Sequence, residues 1–507
     1  MLLVAATAIA VVTTRPHPSS DTATAAAVAN AHAARTGGQP KPARTHTARG
    51  RRGRIRSGPG ALPNRRHRAR RAQAASFSAP ATLGACQGRW PNVLFPSKKP
   101  TEGTGPGAIV FNASASCAGG AGARVAALGP NETPLAPAKP REATGNPLSV
   151  EGPLTSTTGP HGQIVIAGLQ PTGTSTGTGT GTGKGLIVQG EAGQTFTRLP
   201  SRIQLSRPFA LSTAYLGDAA IAMPDTGHGP LVQVERFFAN TLSAPRVGPK
   251  PKAASGPIRD LTVAMDFRSD ALAAWVQGSS VYAQDLPGSG VRHPVQRIGS
   301  VAPNTTLTAL LSDDNRGMVV WQETRGKQTS VHFDYSATGV KFGPATTLES
   351  YANPDGLKLP PTTPRLIRLA SESVMVAWAG VANGHWVVRT AAVDQDGIGM
   401  PSTIAAPQGD DALLADLEPG PQGEALALFS EPQASLAGNP DATRQALLVA
   451  RGVDVAPDRT SFSEPQLVAP PGPVQGASIG IDPDTDDAVV AWEGEAGSIE
   501  YSVRAAG

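Results

Sequence analysis

A short apolar run returns eight times along the chain, each time entered from a Gly, Asp, Ser, Gln or Glu. The copies read Gly107-Ala-Ile-Val-Phe111, Gln163-Ile-Val-Ile-Ala167, Asp218-Ala-Ala-Ile-Ala-Met223, Asp270-Ala-Leu-Ala-Ala-Trp275, Gly317-Met-Val-Val-Trp321, Ser373-Val-Met-Val-Ala-Trp378, Glu424-Ala-Leu-Ala-Leu-Phe429 and Asp487-Ala-Val-Val-Ala-Trp492. With the last residue of each as anchor, successive copies are roughly 50 residues apart, the period of a repeat architecture. The runs do not alternate apolar with polar, and they are short. This predicts strands buried on both faces rather than one-sided strands or helices.

Each run is followed by a small polar loop and a second strand-like segment, as in Val281-Tyr-Ala-Gln284, Val331-His-Phe333, Trp386-Val-Val-Arg389, Leu447-Leu-Val-Ala450 and Ile499-Glu-Tyr-Ser-Val503. A third element carries a proline, in Leu242-Ser-Ala-Pro245, Phe342-Gly-Pro344 and Phe462-Ser-Glu-Pro465. Proline has no N–H to give a ladder, so it marks an edge strand. The last copy ends after its third strand, while Phe77-Ser-Ala-Pro-Ala-Thr-Leu83 repeats the fourth-strand pattern ahead of the first copy. The expected fold is therefore all-β: a β-propeller of eight four-stranded blades, with seven as the rival count, its ring closed by an N-terminal strand in the last blade. Dividing the span 76–507 among eight copies gives each a length that suits one blade with its loop insertions.

Composition agrees with a turn-rich core. The chain has 57 Gly and 47 Pro, 39% hydrophobic and 16% charged residues, and no strict Gly period, which excludes collagen and makes long helices improbable. Charge divides it. Residues 1–75 carry 14 Lys and Arg against the single acid Asp21, whereas the rest carries 30 bases and 38 acids. Arginine crowds the span from Arg49 to Arg71 with no apolar face and no interleaved aromatic, which argues against base stacking and specific nucleic-acid binding. The expected organisation is an export signal, or a truncated signal or anchor, over 1–34, a disordered Arg-rich linker over 35–75, and the propeller over 76–507. Met1 to Val12 is apolar but too short to span a bilayer, which needs about 20 residues. The two cysteines, Cys86 and Cys117, suit one disulfide in an exported protein, two buried thiols being the alternative. The expected location is secreted or cell envelope.

The copies resemble bacterial extracellular β-propeller repeat proteins, at the level of architecture, over roughly residues 76–507. Family signatures do not match. An Asp-box would read Ser-x-Asp-x-Gly-x-x-Trp, and in Ser312 to Trp321 both the Asp-to-Gly and Gly-to-Trp spacings are one residue too long; the Gly-His and Trp-Asp marks of WD repeats are absent from the copies. No family's active site carries over. Gly476-Ala-Ser-Ile-Gly480 has nucleophile-elbow spacing but falls where a first strand belongs, with no helix behind it. The Thr-Gly tract ending Gly183-Lys184 fails as a phosphate loop, because Thr178 stands where the first Gly is needed and Gly185 replaces the magnesium-binding hydroxyl. Asp482, Asp484 and Asp486, with Glu493 at the twelfth position, have calcium-loop spacing without the central Gly or flanking helices. That leaves a looser calcium turn as the one metal expectation, beside an ordinary Asx-rich turn. His161, His228, His293, His332 and His385 are scattered among different copies.

One pattern points to binding. Asp225, Glu323, Glu431, Glu493 and Glu495 stand directly after the buried run, on what should be one end of the blades, where loops gather round a mouth. The alternative reading is that these carboxylates solubilise exposed loops. No catalytic residue is assigned. The expected function is a monomeric binding protein whose mouth loops meet a protein or polysaccharide, with residues 35–71 tethering it to anionic envelope polymers. The rival is an extracellular glycoside hydrolase or lyase on the same scaffold, and a third class is a structural spacer.

Overall fold

The computed structural model describes residues 76–505 apart from intervening segments, the longest being 97–105, 170–184, 200–207, 248–255, 354–362 and 433–444. The chain divides into two units, Met1–Pro63 and Asn64–Gly507, and everything below belongs to the second. The expected export segment, the linker and the Thr-Gly tract up to Lys184 lie outside the described residues.

Within them the protein is all-β. The helical elements are two single 3-10 turns, Pro130–Glu132 and Glu495–Gly497, and no helix is long and apolar enough to cross a membrane. The strands form seven antiparallel sheets, none closed on itself. Six of them each hold one copy, with strands in sequence order outward from an edge strand: Glu151–Thr158, Ala210–Thr213, Ile258–Met265, Asn304–Leu311, Arg365–Arg368 and Leu413–Pro419. The apolar run is the second strand every time, as Gln163–Leu169, Ala219–Met223, Ala271–Gln277, Gly317–Arg325, Val374–Ala382 and Ala425–Pro432. The outermost strand is broken in three sheets. The breaks contain Pro401, between Gly397–Ile398 and Ser402–Ile404, and Pro465, between Arg459–Phe462 and Gln466–Gly472. The third break, between Thr241–Leu242 and Arg246–Val247, is where Pro245 falls in the sequence.

The seventh sheet has six strands and carries the first and last copies side by side, in the order Gly122–Ala127, Ala108–Ala113, Ala81–Leu94, Ser498–Arg504, Ala488–Glu493, Gln475–Ile481. Its central strand is longer than the fourth-strand pattern of Phe77 to Leu83 implies, and it serves two copies. The front half pairs with the last copy (Ala81↔Tyr501, Thr82↔Glu500, Gln87↔Ser498), and the back half pairs with the first (Gly88↔Ala113, Asn92↔Val110, Leu94↔Ala108). The N–H of Ser78 also donates to the Val503 carbonyl at 2.8 Å. Cys86 and Cys117 form a disulfide with Cα atoms 4.7 Å apart, tying this strand to the first hairpin.

Packing explains why the second strands lack alternation. The buried residues fall into eight apolar clusters, each drawn mainly from two neighbouring copies, one of them also taking in Leu413 of the next. Val165 and Ala167 enter the cluster with the third copy, while Ile164 and Ile166 enter the one with the first. Successive side chains of one strand thus feed opposite faces, and both faces are covered. The eighth cluster joins Val489, Ala491 and Ile499 of the last copy to Ile109 and Phe111 of the first. The anchors Trp275, Trp321, Trp378 and Trp492 are fully buried. Three of their indole N–H groups find acceptors: Glu349 for Trp378 at 2.8 Å, Glu500 for Trp492 at 3.0 Å and Gln277 for Trp275 at 3.3 Å.

Candidate binding site

The five carboxylates of the sequence pattern fall in different surroundings. Asp225 lies outside the described residues. Glu323 is still inside its second strand and is buried; its Oε2 accepts the Ala302 N–H at 2.6 Å and the Arg325 Nε at 3.2 Å, and its Oε1 lies 3.4 Å from His332 Nε2. Burial lowers the His332 pKa, and the Glu323 charge opposes that shift. Glu431 is likewise buried within Ala425–Pro432. Glu493 ends Ala488–Glu493 half-buried; burial raises its carboxyl pKa and the nearby Arg89 charge opposes that rise. Glu495 is exposed in the following 3-10 turn, so only Glu493 and Glu495 share one hairpin.

A second set of polar residues, which the sequence pattern did not single out, lies on the strands paired in front of the apolar runs. In each copy one residue of the preceding strand pairs with the residue just before the anchor, and these are Asn92, Ser156, Ala210, Thr262, Thr308, Arg365, Asp416 and Ser478, all on edge strands except Asn92, which is on the shared central strand. All but Ala210 are polar. Five are linked from copy to copy. Asn92 Nδ2 donates to Ser156 Oγ at 3.1 Å, Ser478 Oγ lies 3.3 Å from Asn92 Oδ1 and 3.1 Å from Asp416 Oδ2, and Arg365 Nε stands 3.6 Å from Asp416 Oδ1. The Thr308 hydroxyl donates to the Pro364 carbonyl at 2.7 Å, carrying the connection toward the sixth copy. Backbone N–H groups join in: Val93 donates to Ser478 Oγ at 3.2 Å and Ile479 to Asp416 Oδ2 at 3.2 Å.

Ser478 is the serine of the elbow-like motif. It lies in the strand Gln475–Ile481, held between a carboxylate and an amide, with no helix behind it. Two further carboxyls stand near this row. Burial and the Asp416 charge push Glu418 well above the usual carboxylate range, against the pull of Arg365. Burial also raises Asp260, although the N–H groups of Leu307 and Leu261 donate to it and oppose the rise.

The turn expected as a calcium site is ordered by its own backbone. Asp482 Oδ1 accepts the Asp484 N–H at 2.7 Å, and the Asp486 N–H donates to the Asp482 carbonyl at 2.9 Å. The Asp486 side chain turns to Arg451 at 3.3 Å and Arg504 at 3.4 Å, and Arg451 also reaches Glu424 at 2.7 Å. Among the described residues no group of three His, Cys, Asp or Glu side chains is arranged to hold a metal ion.

No protein-family model matches this chain, and no curated protein sequence matches it. Solved structures do align with it. The β-propeller domain of the trilobed protease from Pyrococcus furiosus, described as having an open velcro topology, is 9% identical over 78% of this chain and 98% of its own, with a TM-score of 0.37. A polysaccharide lyase is 10% identical over 78% of this chain and all of its own, with a TM-score of 0.38. A lectin of Aleuria aurantia, in complex with a fucosyl-GlcNAc disaccharide, is 13% identical over 61% of this chain and 93% of its own, with a TM-score of 0.30.

Proposed function

We propose that residues 76–507 form an eight-bladed β-propeller, closed where the N-terminal strand completes the last blade, and that it works as a secreted or envelope-attached binding protein. Support for eight blades comes from the eight inter-copy clusters, one of which joins the last copy to the first. The long strand Ala81–Leu94 belongs to both of those copies. The disulfide favours an oxidising compartment. The basic span 35–71 serves as the tether to anionic envelope polymers.

The observation that carries binding rather than catalysis is the linked row from Ser156 to Arg365. Asp416, its only carboxylate, accepts from Ser478 and the Ile479 N–H and faces Arg365, and Ser478 is held by Asn92 and Asp416. Such a row presents fixed hydrogen-bonding groups and keeps no unengaged base beside its serine.

One arrangement favours the enzyme alternative, a glycoside hydrolase or lyase. Asp416 and Glu418 are two residues apart on one strand and so project from the same face, and burial beside the Asp416 charge pushes Glu418 toward its protonated form. General acid–base cleavage of a glycosidic bond uses two neighbouring carboxyls, one of them a proton donor, the role a raised Glu418 would fill. Incubating the protein with soluble and insoluble polysaccharides, while measuring both retention and release of reducing or unsaturated ends, separates the readings. The binding reading expects retention with no product. Product that disappears in Glu418→Gln would establish the enzyme instead.

A further inference from the structure

Trp90 is 45% exposed and has a φ of +52°, in the left-handed region that a tryptophan rarely adopts. The other exposed large apolar side chains among the described residues, Leu135, Met400 and Leu467, are not aromatic. A solvent-facing indole gains little from the core and its backbone is strained, so stability does not account for it. Its position is specific. Trp90 lies on the irregularity between Arg89 and Asn92 of the shared strand, opposite the irregularity between Gln475 and Ser478 of the last copy's edge strand. Facing bulges re-aim side chains out of the ladder. Gly476, itself at φ +52°, lies directly beside it: a Cβ there would stand at ordinary contact distance, 3.6 Å from Trp90 Cα and 3.7 Å from its Cδ1. Glu493 pairs with Gln475 across the hairpin, and the Arg89 charge acts on its carboxyl. An exposed aromatic ring, a half-buried carboxylate and an exposed guanidinium therefore line the seam between the first and last copies, where the Glu493 carboxyl and the Gly88 carbonyl both stand 4.0 Å from the place a Cβ on Gly497 would take, with Asn92 and Ser478 of the polar row next in line.

We propose that Arg89, Trp90 and Glu493 form a subsite for an oligosaccharide of β-linked pyranoses with equatorial hydroxyls, a ligand class that rests on the binding reading above. Such rings carry their axial C–H bonds on a flat apolar face that suits the electron-rich indole, while the rim hydroxyls donate to a carboxylate and accept from a guanidinium. The seam supplies all three groups. Protein and polysaccharide partners are thereby narrowed to a saccharide chain.

The test is calorimetric titration of the full chain with cellohexaose and chitohexaose, followed also by tryptophan fluorescence. The wild type should bind at least one of them with a Kd on the order of 0.1–1 mM. Trp90→Gly relieves the left-handed backbone strain and removes the whole side chain, indole included, so it should weaken binding about tenfold or more with an unfolding midpoint unchanged or raised. Trp90→Phe should stay within about threefold of wild type, and Glu493→Gln should fall between. Wild-type-like binding by Trp90→Gly would overturn the seam subsite while leaving binding elsewhere on the mouth standing. No binding of either sugar by the wild type at about 10 mM would overturn the ligand class. The broader binding reading is then judged separately by the retention assay.

Discussion

Asp334 offers a way to weigh a buried charge in this fold. It is 2% exposed in the strand Gln328–Ser336, where its carboxylate accepts the Tyr335 N–H at 2.8 Å and faces the Gly343 N–H, while Oδ2 has no hydrogen-bond partner. Burial raises its pKa from 3.8 to about 7, against the two N–H donors. A raised folded-state pKa means the folded protein binds this proton more tightly than the unfolded chain. Its effect on stability is therefore constant below about pH 4, grows unfavourable between about pH 4 and 7, and is constant again above. At 1.36 kcal/mol per unit, the full cost of ionising Asp334 is about 4 kcal/mol as an upper bound. Asp334→Asn removes the charge and keeps an oxygen for the two N–H groups, but sets an unpartnered amide where Oδ2 stood, which returns about 1–3 kcal/mol. The variant should thus be more stable than wild type by about 1–3 kcal/mol at pH 8. Urea unfolding followed by tryptophan fluorescence from pH 4 to 8 measures this, and taking the difference between the two proteins cancels the other carboxyls that burial raises, Glu132, Asp260, Asp266, Asp285, Glu418, Asp486 and Glu493 among them. The advantage should shrink as the pH falls toward 4. A difference independent of pH, or a variant less stable at pH 8, would refute the reasoning.

Replacing Cys86 and Cys117 by Ser should lower stability by roughly 3–4 kcal/mol in urea, the cost expected when a 31-residue separation is no longer bridged, and should make unfolding indifferent to reductant. Arg451→Ala leaves Glu424, whose side chain is 6% exposed, without its 2.7 Å partner; a loss of about 3 kcal/mol is expected in the same assay, with partial recovery in the Arg451→Ala/Glu424→Ala double variant. Deleting residues 35–71, which hold 13 bases and no acid, should abolish salt-sensitive retention on an anionic resin and leave unfolding within about 0.5 kcal/mol of wild type. Strong destabilisation would instead mean that the basic span is docked on the folded domain.

The second strands were legible because burial on both faces writes an unbroken apolar run, and all eight runs are second strands. Pro401 and Pro465 fall at breaks in outermost strands, where a missing N–H costs no ladder bond. The carboxylates after the run were misleading about where strands end. The ladder continues past Trp321 to Arg325 and past Phe429 to Pro432, so Glu323 and Glu431 are interior positions. The polar row was harder to see, since one polar residue in a strand looks like ordinary alternation. A signal existed nonetheless: Thr262, Thr308, Arg365 and Asp416 all stand at one constant separation ahead of their anchors Trp275, Trp321, Trp378 and Phe429. The column breaks elsewhere. Ser478 stands slightly further from Trp492, Ser156 closer to Ala167 and Asn92 much further from Phe111, because hairpin lengths and bulges differ among those copies.

In the proposed ring the junction of first and last copies differs from the other seven in kind. Elsewhere two neighbouring copies are consecutive in the chain, so their faces meet at short separation in sequence. At this junction the partners come from opposite ends of the folded unit, and closure depends on the ladder from Ala81 to Gln87, the Ser78–Val503 bond and the shared apolar cluster. Closing so long a loop costs entropy that these contacts must offset. The disulfide fixes Cys86 to the first hairpin, so whatever pairs with the front half of that strand is held against the first copy as well. The polar row crosses the same junction through Ser478 and Asn92, and Trp90 stands on it. Opening the seam would therefore separate Trp90 from Gly476 and Asn92 from Ser478 in one step, which makes the integrity of the proposed subsite a direct consequence of ring closure rather than of any single blade.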